Sequence, residues 1–497
     1  MSLATATFRG VLWNHGGKII EYFLLYAASL VVARGLGVAD NGVYALAISL
    51  SQLLLVLTSF GLETLVNKSF PQISGPHENE QRTYLLRRIL ALRGAAFLAG
   101  GGLLLVISWL VPGLAGPARG LIIVIVALTF SRALVPLLAM ALTADMRTDL
   151  TARINIGARF LELSAFAWKS GSGLNLTFVL ATLLLSGIVQ LAAYILVCRR
   201  KILGPVIPFP VRPTLALGGV FWVMSLVDYI LGRHGDIFML THILPDPSYA
   251  SVYDVAYSGI QLAQLGATAG FAGVTFAAFA RLAARAPDSL APFYHFLIRT
   301  ITLLTVPLFA FLLFNADLFI GVLYGGAFLG AARLVQGMAL FRILSRLFGG
   351  GENAEYILSL GEVRPFVIVG AVSGCCNVVL NLVLIPHLAA AGSVIASGTA
   401  NLAANALGFL LLRGKGRIQA GFWTKVTLTG VALSYAVTWI DTSSLLMTLS
   451  ARILSFSLLL AAAVAAFHIV SPDDLARIRS AIENVVRGRS AGEGEVR

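Results

Sequence analysis

Long, mostly apolar stretches alternate with short polar ones along nearly the whole chain. Fourteen can be marked, at about 18–34, 43–62, 89–112, 119–142, 153–170, 174–198, 213–232, 249–275, 296–316, 331–348, 363–386, 391–412, 424–441 and 446–468. Leu and Ala dominate them, and no alternation of period two runs through them. The pattern therefore predicts helices rather than barrel strands. Each is close to the ~20 residues that a helix needs to cross a bilayer. The fifth, seventh and tenth are the weakest, because they carry charges. The expected fold is an all-α polytopic membrane protein of about 14 transmembrane helices.

Composition sharpens this picture. Of 497 residues, 58% are hydrophobic and 12% charged, against roughly 45–50% and ~25% in a soluble domain. So little charge cannot cover a water-soluble surface, and disorder requires the opposite balance. The connections between spans are short, which leaves no room for a soluble catalytic domain. The longest on the outer side lie near 233–248 and 317–330.

The formal charge of +13 is explained by where the cations fall. With the N-terminus inside, the cytoplasmic pieces hold 25 of the 36 Lys and Arg residues. The opposite side holds only Arg34, Arg119, Lys169 and Arg233. This asymmetry obeys the positive-inside rule and places both termini in the cytoplasm. The basic excess is thus a mark of topology, and no nucleic-acid partner is expected. Cys198, Cys375 and Cys376 have neither disulfide nor metal spacing, and no metal or cofactor is expected. The opening MSLATATFRGVLWNHGGK shows no cleavage site and reads as retained. In the tail, Ser471, Pro472, Asp473 and Asp474 suit a helix start. Leu475, Ile478, Ile482 and Val485 then share a face, which predicts an amphipathic helix on the cytoplasmic leaflet.

One segment occurs twice. Residues 43–53 read VYALAISLSQL and residues 252–262 read VYDVAYSGIQL. At this constant offset of 209, Val, Tyr, Ala, Ser, Gln and Leu recur at matching places. The two copies open spans 2 and 8. Spans 1–6 and 7–12 then read as parallel repeats about an axis along the membrane normal, a transporter plan with its site between the halves. The expected organisation is a six-helix half over 1–198, a second over 199–412, two added spans over 413–468 and a tail over 469–497.

The segment ARGLGVADNGVYALAISLSQLLLVLTSFGLETLVNKSFPQ resembles the opening of Wzx-type polysaccharide transporters. GDIFMLTHILPDPSYASVYDVAY, LFIGVLYGGAFLGAARLVQGMAL and NVVLNLVLIPHLAAAGSVIASGTAN follow in the order of that family. The resemblance covers about residues 10–412. The family comprises lipid-linked oligosaccharide flippases of the multidrug/oligosaccharidyl-lipid/polysaccharide (MOP) exporter superfamily. Within those motifs, Gly35, Gly37 and Gly42 supply a tight outer turn and close helix approach. Pro386 is expected to stop span 11, and Pro136 and Pro307 to kink spans 4 and 9.

A charge at bilayer depth costs about 2.5–3.5 kcal/mol on insertion scales, so such residues normally face a cavity or a partner. The candidates for a substrate cavity are Lys18, Glu21, Arg132, Arg159, Glu162, Asp228, Arg342 and Arg346. Lys18 with Glu21, and Arg159 with Glu162, are spaced i, i+3 and can neutralise each other. Arg342 and Arg346 are like charges at i, i+4, which suits a visiting anion. Arg299 and Arg452 sit near span ends, where long side chains snorkel. Tyr22, Tyr26, Trp222 and Tyr229 can pack between helices or stack on sugar rings.

The balance of these charges is basic, and arginine binds phosphate through a planar fork. The resemblance implies a flippase that carries a polyprenyl-pyrophosphate-linked oligosaccharide from the cytoplasmic to the outer leaflet of the bacterial inner membrane. It leaves open a polysaccharide polymerase as partner and a coupling proton or sodium ion, for which Glu162 is a candidate. The alternatives are a lipid II flippase, an ion-coupled multidrug exporter, and a membrane polymerase or ligase using His234 and Asp236 as an acid/base pair. The first reading makes the protein a transporter rather than an enzyme.

Overall fold

In the computed structural model, residues 3–466 are described, apart from positions within 64–74 and 269–286, the stretches 112–115, 210–211 and 413–418, and Met146. The expected tail helix lies outside the described residues. Helices account for the architecture, and no strand occurs among the described residues. They are α1 (Leu3–Leu57), α2 (Glu78–Leu110), α3 (Ile122–Ala144), α4 (Thr148–Ser170), α5 (Leu176–Leu203), α6 (Arg212–Leu231), α7 (Arg233–Ile243) and α8 (Ser248–Thr268). Then follow α9 (Leu290–Leu323), α10 (Gly330–Ser345), α11 (Glu352–Ser359), α12 (Val363–Leu388), α13 (Ala390–Leu411), α14 (Ala420–Ala436) and α15 (Leu445–Ala466).

Every one of the fourteen apolar stretches falls on a helix. Eight helical stretches among the described residues are long and apolar enough by themselves to cross a membrane. One of them is α1, whose two arms are spans 1 and 2. The helices outside that set include α4, α6, α8 and α10. They carry Arg159, Glu162, Asp228, Asp254 and Arg342, the polar positions that weaken their hydropathy.

The tight outer turn is a single residue. Gly37 alone leaves the helical region, at φ 72° and ψ −180°, a conformation that glycine adopts without a Cβ clash. Gly42 serves close approach: a Cβ there would lie 2.1 Å from the carbonyl oxygen of Pro247. The two halves therefore touch backbone to backbone at this end. Beside it, Ala33 and Ala45 of α1 join a core with Tyr253, Ala256 and Ile260 of α8. Small side chains let the helices approach closely without a polar partner.

Three expectations about helix ends are corrected. Span 7 ends at Leu231 as expected, but the chain resumes as α7 after Gly232, so 233–243 is a partly buried helix and not a loop. Much of 317–330 is also helical, because α9 runs to Leu323. Pro386 does not stop span 11, since α12 continues to Leu388 and ends at Ala389, whose φ is 50°. A proline in the last turn removes one backbone donor, which is not enough to end a helix already anchored by packing. Pro136 and Pro307 do lie inside α3 and α9.

An apolar cavity of about 470 Å³ lies between the second arm of α1 and α2. Another of about 410 Å³ lies between α8 and α9. Leu53, Leu54 and Thr58 of the first stand 209 positions before Leu262, Ala263 and Ala267 of the second. Ala96, Ala99, Gly100 and Ile107 stand 212 before Leu308, Phe311, Leu312 and Phe319. The second groove has an additional wall, α15. Arg452 holds α15 there through Asn315 Oδ1 (2.9 Å) and the carbonyls of Thr438 and Ile440 (both 2.8 Å). It is anchored by hydrogen bonds and does not snorkel.

Candidate transport site

The first polar cluster is built on one face of α4. Asn155, Arg159 and Glu162 follow one another at i, i+4 and i+7, so all three point the same way. Arg159 Nη1 is 2.7 Å from Glu162 Oε2. The other oxygen of this buried carboxylate accepts from Ser186 Oγ at 2.9 Å. Asn155 donates to Glu21 Oε2 (3.2 Å) and accepts from Gln190 Nε2 (2.9 Å) and the Tyr194 hydroxyl (2.8 Å). Arg132 on α3 lies within electrostatic reach of Arg159, Glu162 and Tyr44. No carboxylate pairs with Arg132 among the described residues. Glu162 already answers Arg159, so Arg132 carries the positive charge that remains for an anion.

The halves are joined along both arms of α1, from the Gly37 turn to Val56. Tyr26 donates to Gln261 Oε1 (3.1 Å), Asn41 to Ser251 Oγ (2.9 Å) and Arg34 to the Val322 carbonyl (2.5 Å). Ser49 meets His234 Nδ1 at 3.3 Å and accepts from the Tyr229 hydroxyl at its carbonyl (3.2 Å). The Arg233 Nε sits 2.5 Å from Asp254 Oδ1, a buried pair directly beside this seam. Trp222 donates to the Val56 carbonyl at 2.9 Å and packs on Phe60. Tyr26, Trp222 and Tyr229 thus hold helices together, whereas Tyr22 remains exposed.

The second cluster surrounds Asp236, which is 0% exposed. The hydroxyls of Tyr253 and Ser397 donate to its Oδ2. Asn381 Nδ2 donates to Oδ1 at 2.8 Å, and Asn377 Nδ2 stands 3.5 Å from the same atom. Ser393 completes the ring by donating to Asn381 Oδ1 at 2.9 Å. Asn377 and Asn381 are one turn apart on α12, as are Ser393 and Ser397 on α13. No Lys or Arg pairs with Asp236 among the described residues. A cavity of about 90 Å³ reaches Tyr253 and Ser397 and is lined also by Arg342 and Asn401. Such a carboxylate can hold a proton. The amides and hydroxyls around it all donate to it, so a hard cation would need them to turn their oxygens inward.

The predicted site residues thus separate. Glu21, Arg132, Arg159 and Glu162 converge, and Lys18 is exposed one turn before Glu21. Glu21 is bonded to Asn155 and not to Lys18. Arg342 lines the cavity next to Asp236, while Asp228 is exposed on α6. Arg346 does not act with Arg342, because a 3₁₀ turn over Arg346–Phe348 carries its guanidinium to Glu352 at 2.7 and 3.2 Å. His234 and Asp236 do not form a pair either. They point to different neighbours, Ser49 in one case and the α12–α13 asparagines and serine in the other. Sequence reasoning missed Arg93, Asp254, Asn377 and Asn381 as functional positions. The two asparagines one turn apart in an otherwise apolar span were the available signal.

The described residues thus form a bundle of apolar helices with two unlike polar clusters, each beside one copy of the repeated segment. The comparisons with known proteins place this bundle. Residues 31–333 match the family described as polysaccharide biosynthesis protein, and the chain belongs to that family. Among curated proteins none matches the sequence. Among solved structures, the lipid II flippase MurJ in an inward closed conformation is similar in fold, with a TM-score of 0.73. That likeness covers 92% of this chain and 99% of the other at 12% identity. A multidrug resistance MATE family transporter of the MOP superfamily in its inward-facing conformation gives 0.62 at 14% identity, over 82% and 96% of the two chains. An outward-facing MATE structure gives 0.56 at 15% identity, over 86% and 98%. The fold is the one these solved transporters share, and its long apolar helices mark a multi-pass membrane protein.

Proposed function

We propose that the protein moves a polyprenyl-pyrophosphate-linked oligosaccharide from the cytoplasmic to the outer leaflet of the bacterial inner membrane, with both termini cytoplasmic. The observation that carries this reading is Arg132. It is a guanidinium within an apolar helix, set within electrostatic reach of an already neutralised Arg159–Glu162 pair on the face of α4 that also carries Asn155. A cation held there without a carboxylate of its own suits a phosphate, and the surrounding amides and hydroxyls suit sugar hydroxyls. A cationic drug would meet repulsion at the same place.

Alternating access then requires the seam between the halves to open. Tyr26–Gln261, Asn41–Ser251, Arg34–Val322 and Ser49–His234 are the bonds that must break and reform. Outward movement of each negative charge gains about 2.3 kcal/mol per 100 mV of membrane potential. Asp236 rather than Glu162 is the residue for a coupling proton or sodium ion, because Glu162 is neutralised by Arg159 while no Lys or Arg pairs with Asp236 among the described residues. Membrane lipids and, downstream, a polysaccharide polymerase are the partners of such a cycle. Lipid II is the second reading, supported by the fold likeness to MurJ, since it presents the same polyprenyl pyrophosphate and a sugar.

The test is genetic and biochemical. Loss of the gene is expected to leave lipid-linked oligosaccharide in the inner leaflet and to abolish surface polysaccharide. Arg132→Gln should weaken transport and lower surface polysaccharide, with normal protein in the membrane. Intact surface polysaccharide together with sensitivity to cationic drugs would overturn the reading in favour of an exporter. Rescue of a strain lacking its lipid II flippase would favour the second reading.

A further inference from the structure

Arg93 lies inside the first half, on α2, and is 1% exposed. Its Nε donates to the Ala133 carbonyl on α3 at 3.3 Å. Its Nη2 donates to the Leu55 carbonyl on α1 at 3.1 Å and lies 3.4 Å from Glu63 Oε1. Nη1 is buried with no protein partner. One side chain thus spans three helices.

Its place on α3 is specific. Pro136 has no N–H, so the carbonyl of Arg132, four residues earlier, has lost its normal helical donor. Arg93 grips the next carbonyl, that of Ala133. The residue gripped is the neighbour of Arg132. The second half shows that such a device is not needed to build the fold. With α2 and α9 aligned at the 212-residue offset of their grooves, Thr305 stands where Arg93 does. Its hydroxyl bonds only to Ile301 in its own helix, at 2.7 Å. A buried charge is expensive to insert, and only the half that contains Arg132 carries this one.

We infer that Arg93 is a positioning residue for transport, clamping α3 beside Pro136 so that Arg132 is held towards the polar face of α4. The inference rests on the reading of Arg132 as the phosphate-binding cation, and the test separates the two. Arg93→Met with Glu63→Gln removes the clamp without leaving a buried charge unpaired. Arg93→Lys keeps the charge but has one nitrogen for two carbonyls.

The first measurement uses purified protein in detergent, with Cys198, Cys375 and Cys376 replaced by Ala and Arg132 by Cys. Its rate of modification by a small anionic thiol reagent is expected to change at least fivefold when Arg93→Met/Glu63→Gln is added. An unchanged rate would overturn the positioning role. The second measurement is the substrate concentration for half-maximal transport, at matched protein abundance. It should rise about tenfold in Arg93→Met/Glu63→Gln and less in Arg93→Lys. On an Arg132→Gln background the same change should add nothing, because residues that act through one another are not additive. An equal loss on both backgrounds would overturn the inference and make Arg93 merely structural. Normal transport by Arg132→Gln, with the thiol rate still shifted, would instead overturn the role of Arg132 and leave the clamp standing.

Discussion

Tyr44 and Tyr253 occupy the same place in the repeated segment, 209 residues apart, yet they face opposite chemistry. Tyr44 lies within reach of Arg132 and Glu162 in a cluster that holds both signs of charge. Tyr253 donates to Asp236, a lone carboxylate enclosed by neutral hydroxyls and amides. A shared backbone frame thus carries unlike side chains. The first cluster holds a cation, Arg132, with no carboxylate of its own among the described residues, and the second an acid, Asp236, with no cation of its own. Under the function proposed above, the first suits an anionic cargo and the second a proton, and a duplicated fold supplies both places without a second scaffold.

The comparison can be broken most severely at Asp236. Asp236→Asn keeps the shape and removes the charge, and is expected to abolish the dependence of transport on an ion gradient in proteoliposomes. Persistence of that dependence would assign coupling to another residue. The next effect belongs to the first half. Arg159→Gln leaves Glu162 buried and unpaired, which typically costs about 3–5 kcal/mol, so the protein should fall sharply in abundance on membrane immunoblots. Adding Glu162→Leu should restore it, because a buried ion pair can be replaced by packing.

Arg132→Gln should leave abundance alone and weaken substrate binding by about 1.5–3 kcal/mol, the value of a hydrogen bond to a charged group. Half-saturation measurements with purified lipid-linked oligosaccharide would register this as a tenfold or larger change. The finest probe uses the two tyrosines themselves. Tyr253→Phe removes a donor to Asp236 and is expected to lower thermal stability by about 0.5–1.5 kcal/mol. Tyr44→Phe should change it by less, and equal effects would mean that the halves are more alike than their side chains suggest.

The spans were legible in the sequence because lipid imposes a length and a composition on any helix that crosses it. The i, i+3 spacing of Arg159 and Glu162 was legible for the same kind of reason, since one helix determines it. Asp236 was visible only as an acid near a histidine. Its partners come from α8, α12 and α13, as far as 161 residues away, and no local rule brings them together. Arg93 was hidden similarly, with contacts on α1 and α3 made only after packing. Arg346 read as a repelling partner of Arg342 because helical spacing was extended through a turn that the chain makes at residue 346. The helix over 233–243 read as a loop because its charges, Arg233 and Asp236, are answered from other helices.

Gly37 has a consequence for how the protein is made. Helical residues continue to Leu36 and resume at Val38, so no hydrophilic segment waits between the first two spans to be threaded across the membrane. At ~5–20 residues per second of synthesis, both arms leave the ribosome within seconds of each other. Neither arm can cross fully without carrying the other to the same turn. The insertion machinery therefore receives them as a hairpin, and an epitope tag or glycosylation sequon placed at residue 37 would have to unwind helix on both sides to be exposed. The α12–α13 junction at Ala389 imposes the same rule late in the chain, so the protein enters its membrane partly in pairs.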